Sequence, residues 1–488
     1  MREITQTEST STVKKQDATR MWWRTEILFI FASFALPFLM GLFFYLTSRF
    51  TLNDIFSQQK IIRYALLGVV FFFTFSFFSW YLYYRKADVF LHKSTKWILV
   101  TTIYLCFVLS PVLANVLSPY IVPLVFCGLI FMLLVDEKLA YIVNAVVPLL
   151  FFLCYYVLVP ATDLFELLSS GLIQLFSGCF MLISTKKRYT RLSFLLKCFV
   201  VGVCVSFPIS FVVTFLQDGA TWSNGLVNGT FSSVSVLVGL AFFMVLTPLY
   251  EVAFGLYSNF RLEELCTADA PLMERLAKEA PGTYNHSIAM ATLAQDCARA
   301  IGENAALAKA GACYHDIGKL YNPICFSENQ TTYNPHDNYI PEVSVAMITR
   351  HTKEGASIIR KARLPEALAQ IAEEHHGDQT VSYFLNKSLK MTDEKMNRDL
   401  FRYKGPRPST KISGIIMIVD TVEAATRAQG INKDPYLFRD FIHNLIAEKI
   451  KAEQFIDCPL TFKDFTLIEE TLLKSIPALY HQRIKYNK

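Results

Sequence analysis

The chain has 488 residues, 53% of them hydrophobic and 41 of them phenylalanine, a composition too apolar for a simple soluble protein and long enough for two or three domains. Its net charge of +6 does not signal nucleic acid, because the clusters Lys14-Lys15, Arg85-Lys86, Lys93 with Lys96, and Lys186-Lys187-Arg188 with Arg191 flank apolar runs. A nucleic-acid surface would instead show a basic face interleaved with aromatics on a soluble part. The 11 cysteines are scattered with no CxxC pair, so no disulfide framework and no oxidising compartment are indicated.

Residues 1–25 are polar and Ser/Thr-rich, which predicts a disordered tail. The first apolar run starts near residue 27 and is too long for the h-region of a cleavable signal. A bilayer-spanning helix needs about 20 apolar residues, and on that measure residues 26–257 hold about eight spans. They fall near 28–46, 61–83, two within 97–135, 139–158, 164–184, 198–216 and 231–255. The run Trp97–Val135 carries no charge at all and is read as a hairpin turning at Ser118-Pro119. The stretch holding Gly219, Asn224-Gly225 and Asn228-Gly229 is read as a loop before the last span. Alternating the spans from a cytoplasmic N-terminus places the basic loops 84–96 and 185–197 inside, together with everything after residue 255, as the positive-inside bias requires. Only Arg49, Lys60 and Arg63 fall near the outside loops. The expected location is a plasma (inner) membrane, multi-pass, with both termini and residues 258–488 cytoplasmic.

After residue 257 the texture changes to amphipathic helices punctuated by Pro and Gly, which predicts an all-α soluble domain. His286, Met290, Leu293 and Cys297 share one helix stripe, so His286 points toward the core. A following helix delivers His315-Asp316, and Gly318 lets the chain turn closely there. The polar, aromatic loop 321–342 is long enough to suggest a functional role. His351 lies on a segment read as running from Pro341 to Ala362, and His375-His376 close a helix that starts at Pro365 and ends at Gly377. Residues 386–409 read as a charged surface excursion, and Asp420 interrupts the apolar helix 412–428.

Five of the nine histidines fall in the series His286 … His315-Asp316 … His351 … His375-His376 … Asp420. Imidazole and carboxylate are ligands for divalent metals, and a carboxylate in an apolar helix is costly unless paired or metal-bound. These positions exceed what one tetrahedral ion uses, so two ions bridged by Asp316 are expected, with Mn²⁺ or Fe²⁺ suiting a His-rich, carboxylate-bridged set. Two such ions about 3.5–4 Å apart can lower the pKa of a water and clamp a phosphodiester. Lys319 is the expected neutraliser of phosphoryl charge, and Asn334, His336 and Asp337 are candidate substrate contacts.

The order His … His-Asp-Ile-Gly … His … His-His … Asp resembles the HD-domain phosphohydrolases. The stretches Glu279-Ala-Pro-Gly-Thr-Tyr-Asn-His-Ser287, Glu328-Asn-Gln330 and Asn334-Pro-His-Asp337 resemble one membrane-bound branch, the seven-transmembrane receptors with an intracellular HD domain. That resemblance implies an all-helical HD domain and hydrolysis of cyclic di-AMP to pApA. It assigns His286, His315 and Asp420 to one metal and His351, His375 and His376 to the other, with Asp316 on both. The implied partners are a cyclic dinucleotide and the lipid bilayer, without nucleic acid, and self-association is left open. The family also carries a large extracellular domain after its first helix; here only about a dozen residues separate the first two spans, so that domain is expected to be absent. The alternatives are another nucleotide phosphohydrolase, acting on guanosine tetraphosphate or deoxynucleotides, and a membrane transducer that binds nucleotide without turnover.

Overall fold

Long apolar runs satisfy their backbone in lipid only as helices or closed barrels, and the Leu- and Phe-rich composition here takes the first course. The computed structural model describes residues 26–46, 56–85, 93–159, 163–185, 190–217, 219–254, 256–391, 397–429 and 434–479. The expected N-terminal tail, Arg49, Lys86 and the Lys186-Lys187-Arg188 cluster lie outside them. Among the described residues the protein is all-α, with one isolated bridge, between Thr380 and Arg402, in place of any strand. It divides into two compact units between Leu256 and Tyr257.

The first unit contains α1 (Glu26–Leu46), α2 (Gln58–Arg85), α3 (Lys93–Val116), α4 (Val125–Leu134), α5 (Glu137–Leu158), α6 (Leu164–Ser184), α7 (Arg191–Thr214) and α8 (Trp222–Phe254). Seven helices among the described residues are long and apolar enough to cross a membrane; the stretch 119–134 that ends in α4 is shorter. The chain does break at Ser118-Pro119, the expected hairpin turn, but the stretch that follows is shorter than a full span. Ser118 caps a 3₁₀ turn over Pro119–Ile121. Pro119 and Pro123 supply no backbone N–H there, so a helix cannot run through the turn. The residues from Val122 to Phe131 are buried by protein, the condition under which irregular backbone is tolerated at membrane depth.

The eighth apolar run also differs from expectation. α8 starts at Trp222 and takes in Gly225 and Gly229, which sequence reasoning placed in a loop. Both lie against aromatic rings of α7 and the residue after it: a Cβ would come within 2.9 Å of Phe215 at Gly225 and of Phe207 at Gly229. Close helix packing, not a turn, is their purpose.

Hydrogen bonds fix which helix ends share a level. Near the start of α2, the Lys60 ammonium donates to the Leu158 carbonyl, and Arg63 Nη1 donates to the Val157 carbonyl at 2.9 Å. Last-turn carbonyls lack amide partners and attract cations, so the start of α2 lies beside the end of α5. Tyr155, near the end of α5, donates its hydroxyl to Asn115 Oδ1 near the end of α3.

The second unit contains α9 (Asn259–Leu265), α10 (Pro271–Glu279), α11 (Pro281–Ala300), α12 (Ala305–Tyr314), α13 (Pro341–Thr349), α14 (His351–Lys361), α15 (Glu366–Glu374), α16 (Ser382–Leu389), α17 (Lys411–Gln429), α18 (Pro435–Lys451) and α19 (Phe462–Leu479). Met290, Leu293 and Cys297 of α11 and Ile415, Ile418, Val419 and Val422 of α17 build its core. The segment read as one element from 341 to 362 is two helices that break at Arg350, immediately before His351. The excursion 386–409 is not wholly superficial, since Phe401 is fully buried against Val345 and Phe384; residues 392–396 of it lie outside the described residues.

Candidate metal centre

Helix ends place the histidines. His315 is the C-cap of α12, His375 the C-cap of α15, and His351 opens α14 directly after α13. Carbonyls of a last turn are short of amide donors, and each of these rings donates Nδ1–H to the carbonyl three residues back. The distances are 2.7 Å from His315 to Ala312, 2.7 Å from His351 to Ile348 and 2.9 Å from His375 to Ala372. Those bonds hold the Nδ1 proton on the carbonyl side, so in the neutral ring the lone pair belongs to an inward-facing Nε2. His286 of α11 reaches the same place with Nδ1 2.6 Å from Glu423 Oε2.

Asp316 sits among them, 2% exposed, and its two oxygens face different histidines. Oδ2 lies 3.2 Å from His315 Nε2 and 3.9 Å from His286 Nε2, while Oδ1 lies 3.2 Å from His351 Nε2 and 3.6 Å from His375 Nε2. Two sets able to hold a cation result, His286–His315–Asp316 and Asp316–His351–His375–His376. Asp420, from α17, completes the first side with Oδ1 3.1 Å from His286 Nε2, and its Oδ2 is 3.8 Å from His376 Nδ1. The residues fit a divalent metal. His351 Nε2 and His375 Nε2 stand 3.2 Å apart although both rings have committed their proton to Nδ1, so two acceptors face each other. His315 Nε2 and Asp316 Oδ1 are buried without a hydrogen-bond partner among the described residues. Orphaned acceptors this deep are costly, and a cation between them removes the cost.

Electrostatics agree with geometry. Burial, then the neighbouring His315 and His351, pull His375 down to about 4, and burial and His375 hold His376 well below the usual histidine range. Both are neutral ligands near pH 7. Burial opposes charge on His286 too, but its hydrogen bonds to Asp420 and Glu423 raise it to about 9. Burial also opposes charge on Asp316, yet His315 and Lys319 keep its carboxyl well below the usual range.

The remaining predicted residues divide. Lys319 joins the cluster, with Nζ 2.7 Å from Asp316 Oδ2 and 2.7 Å from Glu328 Oε1. Glu328 also accepts from Thr283 Oγ1 at 3.1 Å, and Asn329 Oδ1 accepts the amides of Gly282 and Thr283 at the start of α11. The loop thus ties the helix of His286 to the turn of Asp316. Asn334, His336 and Asp337 are outside this network. Asn334 Nδ2 donates to Asp337 Oδ1 within one turn, and buried His336 donates Nε2–H to the Cys325 carbonyl at 2.8 Å and packs against Phe384.

Two residues escaped sequence reasoning. Tyr403 lies on the His376 ring at 4.3 Å between centroids. Glu423 is fully buried and held by Arg427 at 2.6 Å as well as by His286. Its signal was the spacing from Asp420, since positions three apart share a helix face. Carboxylate partners of a ligating histidine set its basicity, so Glu423→Gln is expected to weaken metal affinity about 10- to 100-fold with little loss of helix. Metal titration of the two proteins checks this; equal affinities would deny Glu423 that role.

Comparison with known proteins places this geometry. Residues 63–258 match the model described as a 7TM receptor with intracellular HD hydrolase, and residues 283–425 match the HD domain. The chain matches the family of seven-transmembrane receptors with an intracellular HD hydrolase in both its membrane part and its HD part. It is similar to the cyclic-di-AMP phosphodiesterase PgpH of Bacillus subtilis (strain 168), 33% identical over 75% of this chain and 51% of that protein. It is also similar to the protein of the same name from Listeria monocytogenes serotype 1/2a (strain 10403S), 37% identical over 53% of this chain and 38% of that one. A crystal structure of the L. monocytogenes PgpH HD domain in complex with cyclic di-AMP shares 40% identity, covering 44% of this chain and all of that chain at a TM-score of 0.41. The chain spans about half or less of the length of the curated relatives it matches. An HD domain implies a divalent metal site, and the His/Asp cluster around Asp316 is its counterpart among the described residues.

Proposed function

We propose that this protein is a membrane-anchored, metal-dependent phosphodiesterase that hydrolyses cyclic di-AMP to pApA. The observation that carries the reaction class is the division of Asp316, with one oxygen toward His286 and His315 and the other toward His351 and His375. That division supports two ions, with Asp316 common to both, Asp420 on the His286 side and His376 on the other. Mn²⁺ or Fe²⁺ suits this nitrogen-rich set. Ions held there would polarise the phosphodiester and make water acidic enough to attack phosphorus. In the reaction the water oxygen bonds to phosphorus, the bond from phosphorus to a ribose oxygen breaks, and that oxygen leaves with a proton. Lys319, shared between Asp316 and Glu328, acts as the counter-ion that holds Asp316 in place. The adenine dinucleotide is supported by the activity for which both PgpH relatives are named. The test is to incubate the purified chain with Mn²⁺ and a panel of cyclic di-AMP, guanosine tetraphosphate and deoxynucleotides. The expected outcome is pApA from the first and no product from the others; turnover of guanosine tetraphosphate or a deoxynucleotide alone would replace this reading.

We further infer eight crossings, with the HD unit and both termini cytoplasmic. If the stretch 119–134 did not cross, the start of α2 and the end of α5 would face opposite sides of the bilayer. The hydrogen bonds from Lys60 and Arg63 to the carbonyls of Leu158 and Val157 argue against that. With the crossing counted, Arg85-Lys86, Lys93, Lys96, Lys138 and Lys186-Lys187-Arg188 all fall on the side of the HD unit, where the positive-inside bias wants them. Lys60 and Arg63 fall on the other side but are occupied by carbonyls. Reporter fusions near residues 90 and 190 should read as cytoplasmic and one near 219 as external. Opposite readings from the fusions at 90 and 190 would remove the crossing.

A further inference from the structure

Several cations around the HD cluster are paired with carboxylates. Lys319 is shared by Asp316 and Glu328, Arg402 and Arg407 both meet Asp378 at 3.1 Å, and Lys411 lies 3.1 Å from Asp464. Lys449, on α18, donates instead to Gln379 Oε1, and no carboxylate of the described residues lies within ion-pair distance of it. An ammonium only donates, so the amide oxygen must be the atom facing it. This orientation leaves Gln379 Nε2 buried without an acceptor among the described residues. Burial pulls Lys449 below the ordinary lysine value although Asp420 and Glu448 act to raise it. A desolvated cation and an orphan amide donor stand side by side.

Their place is the edge of the metal cluster. Gln379 follows the turn at Gly377 (φ 55°) that ends the His375-His376 segment. Its carbonyl accepts the amide of Tyr403 at 2.8 Å, and the Tyr403 ring covers His376. Asp420 is close enough for its charge to act on Lys449. His376 and Asp420 are also the cluster members with the most open side chains, at 22% and 15% exposed, whereas those of His315 and His375 are fully enclosed. Lys449 and Gln379 therefore stand beside the members that solvent reaches.

The geometry points to Lys449 and Gln379 as an anion subsite that holds the second, uncleaved phosphate of a cyclic dinucleotide while the first lies at Asp316. This rests on the phosphodiesterase reading above. A cyclic dinucleotide carries two phosphodiester anions at a separation fixed by its ring, and metal ions at the Asp316 cluster serve only one of them. A positive donor next to a neutral NH₂ donor matches the two non-bridging oxygens of the other. The pair has no role in the attack itself.

The test compares two substrates on the full chain in detergent with Mn²⁺: cyclic di-AMP, and bis(p-nitrophenyl) phosphate, which has a single phosphodiester. Lys449→Met, close in shape and uncharged, should raise KM for cyclic di-AMP about 10- to 100-fold while kcat falls less than about threefold, the pattern of lost uniform binding. On the small diester its kcat/KM should change less than about threefold. Gln379→Glu, which gives Lys449 the carboxylate it lacks, should reproduce the defect, and Lys449→Arg should restore most of the affinity. Equal losses on both substrates, or an unchanged KM for cyclic di-AMP, would overturn the subsite. Should the wild type cleave the small diester but not cyclic di-AMP, the substrate reading fails. Calorimetric titration of EDTA-treated protein with inorganic phosphate then decides the subsite: binding abolished by Lys449→Met supports it, and identical binding overturns it.

Discussion

Asp316→Ala is expected to lose bound metal and turnover together, with kcat/KM down at least about 10³-fold, or about 4 kcal/mol of transition-state stabilisation. The carboxylate lies between two groups of histidines and presents one oxygen to each. Without it, two cations would repel across the gap with no shared anion, and the facing Nε2 atoms of His351 and His375 would keep only each other. Lys319 would at the same time lose one of its two carboxylates and keep only Glu328. The helical core does not depend on this side chain, so circular dichroism should be unchanged while elemental analysis shows the metal gone. Two ions still bound in the variant would contradict the bridging role of Asp316.

Gly318→Ala should be nearly as damaging to activity although Gly318 touches no metal position with a side chain. A Cβ there would lie 1.9 Å from the His351 carbonyl oxygen and 2.5 Å from the Gly355 amide nitrogen. Both are backbone atoms of α14, so relief requires the helix itself to shift, and His351 is its first residue. Overpacking of this kind costs roughly 1–3 kcal/mol of stability. A displacement approaching 1 Å of a positioned group can cost about 100-fold in rate. Thermal unfolding and kcat/KM check the two effects separately; wild-type kcat/KM in this variant would show that α14 does not depend on the close approach.

What the sequence made legible follows from residue chemistry. Five histidines and two aspartates in one series could be read because few other arrangements use them, and the other six gather around Asp316 in the structure. Gly377 was recognisable as a helix stop because its positive φ suits glycine. Glu423 shares a helix face with Asp420, but an acidic residue four before Arg427 on a helix also looks like an ordinary solvated pair. Only the tertiary approach of α11 reveals that it holds His286. Asn334, His336 and Asp337, read as candidate substrate contacts, lie outside the hydrogen bonds of the cluster. Polar residues in a loop satisfy their own turn, and nothing local separates that from substrate binding. In the membrane unit, hydropathy found the apolar runs, including the arm after Ser118-Pro119, but not that arm's shortness and enclosure or the early start of α8, because these depend on what packs against them.

The most direct measurement is competition on the purified, Mn²⁺-loaded chain, with cyclic di-AMP and cyclic di-GMP at equal concentration and the products separated by chromatography. Base discrimination requires only a few placed hydrogen bonds and leaves no motif, so the outcome has to be measured. The expected result is pApA as the dominant product, lost when EDTA is added. Preferential cleavage of the guanine compound would contradict the account, as would release of inorganic phosphate from mononucleotides with cyclic di-AMP left intact.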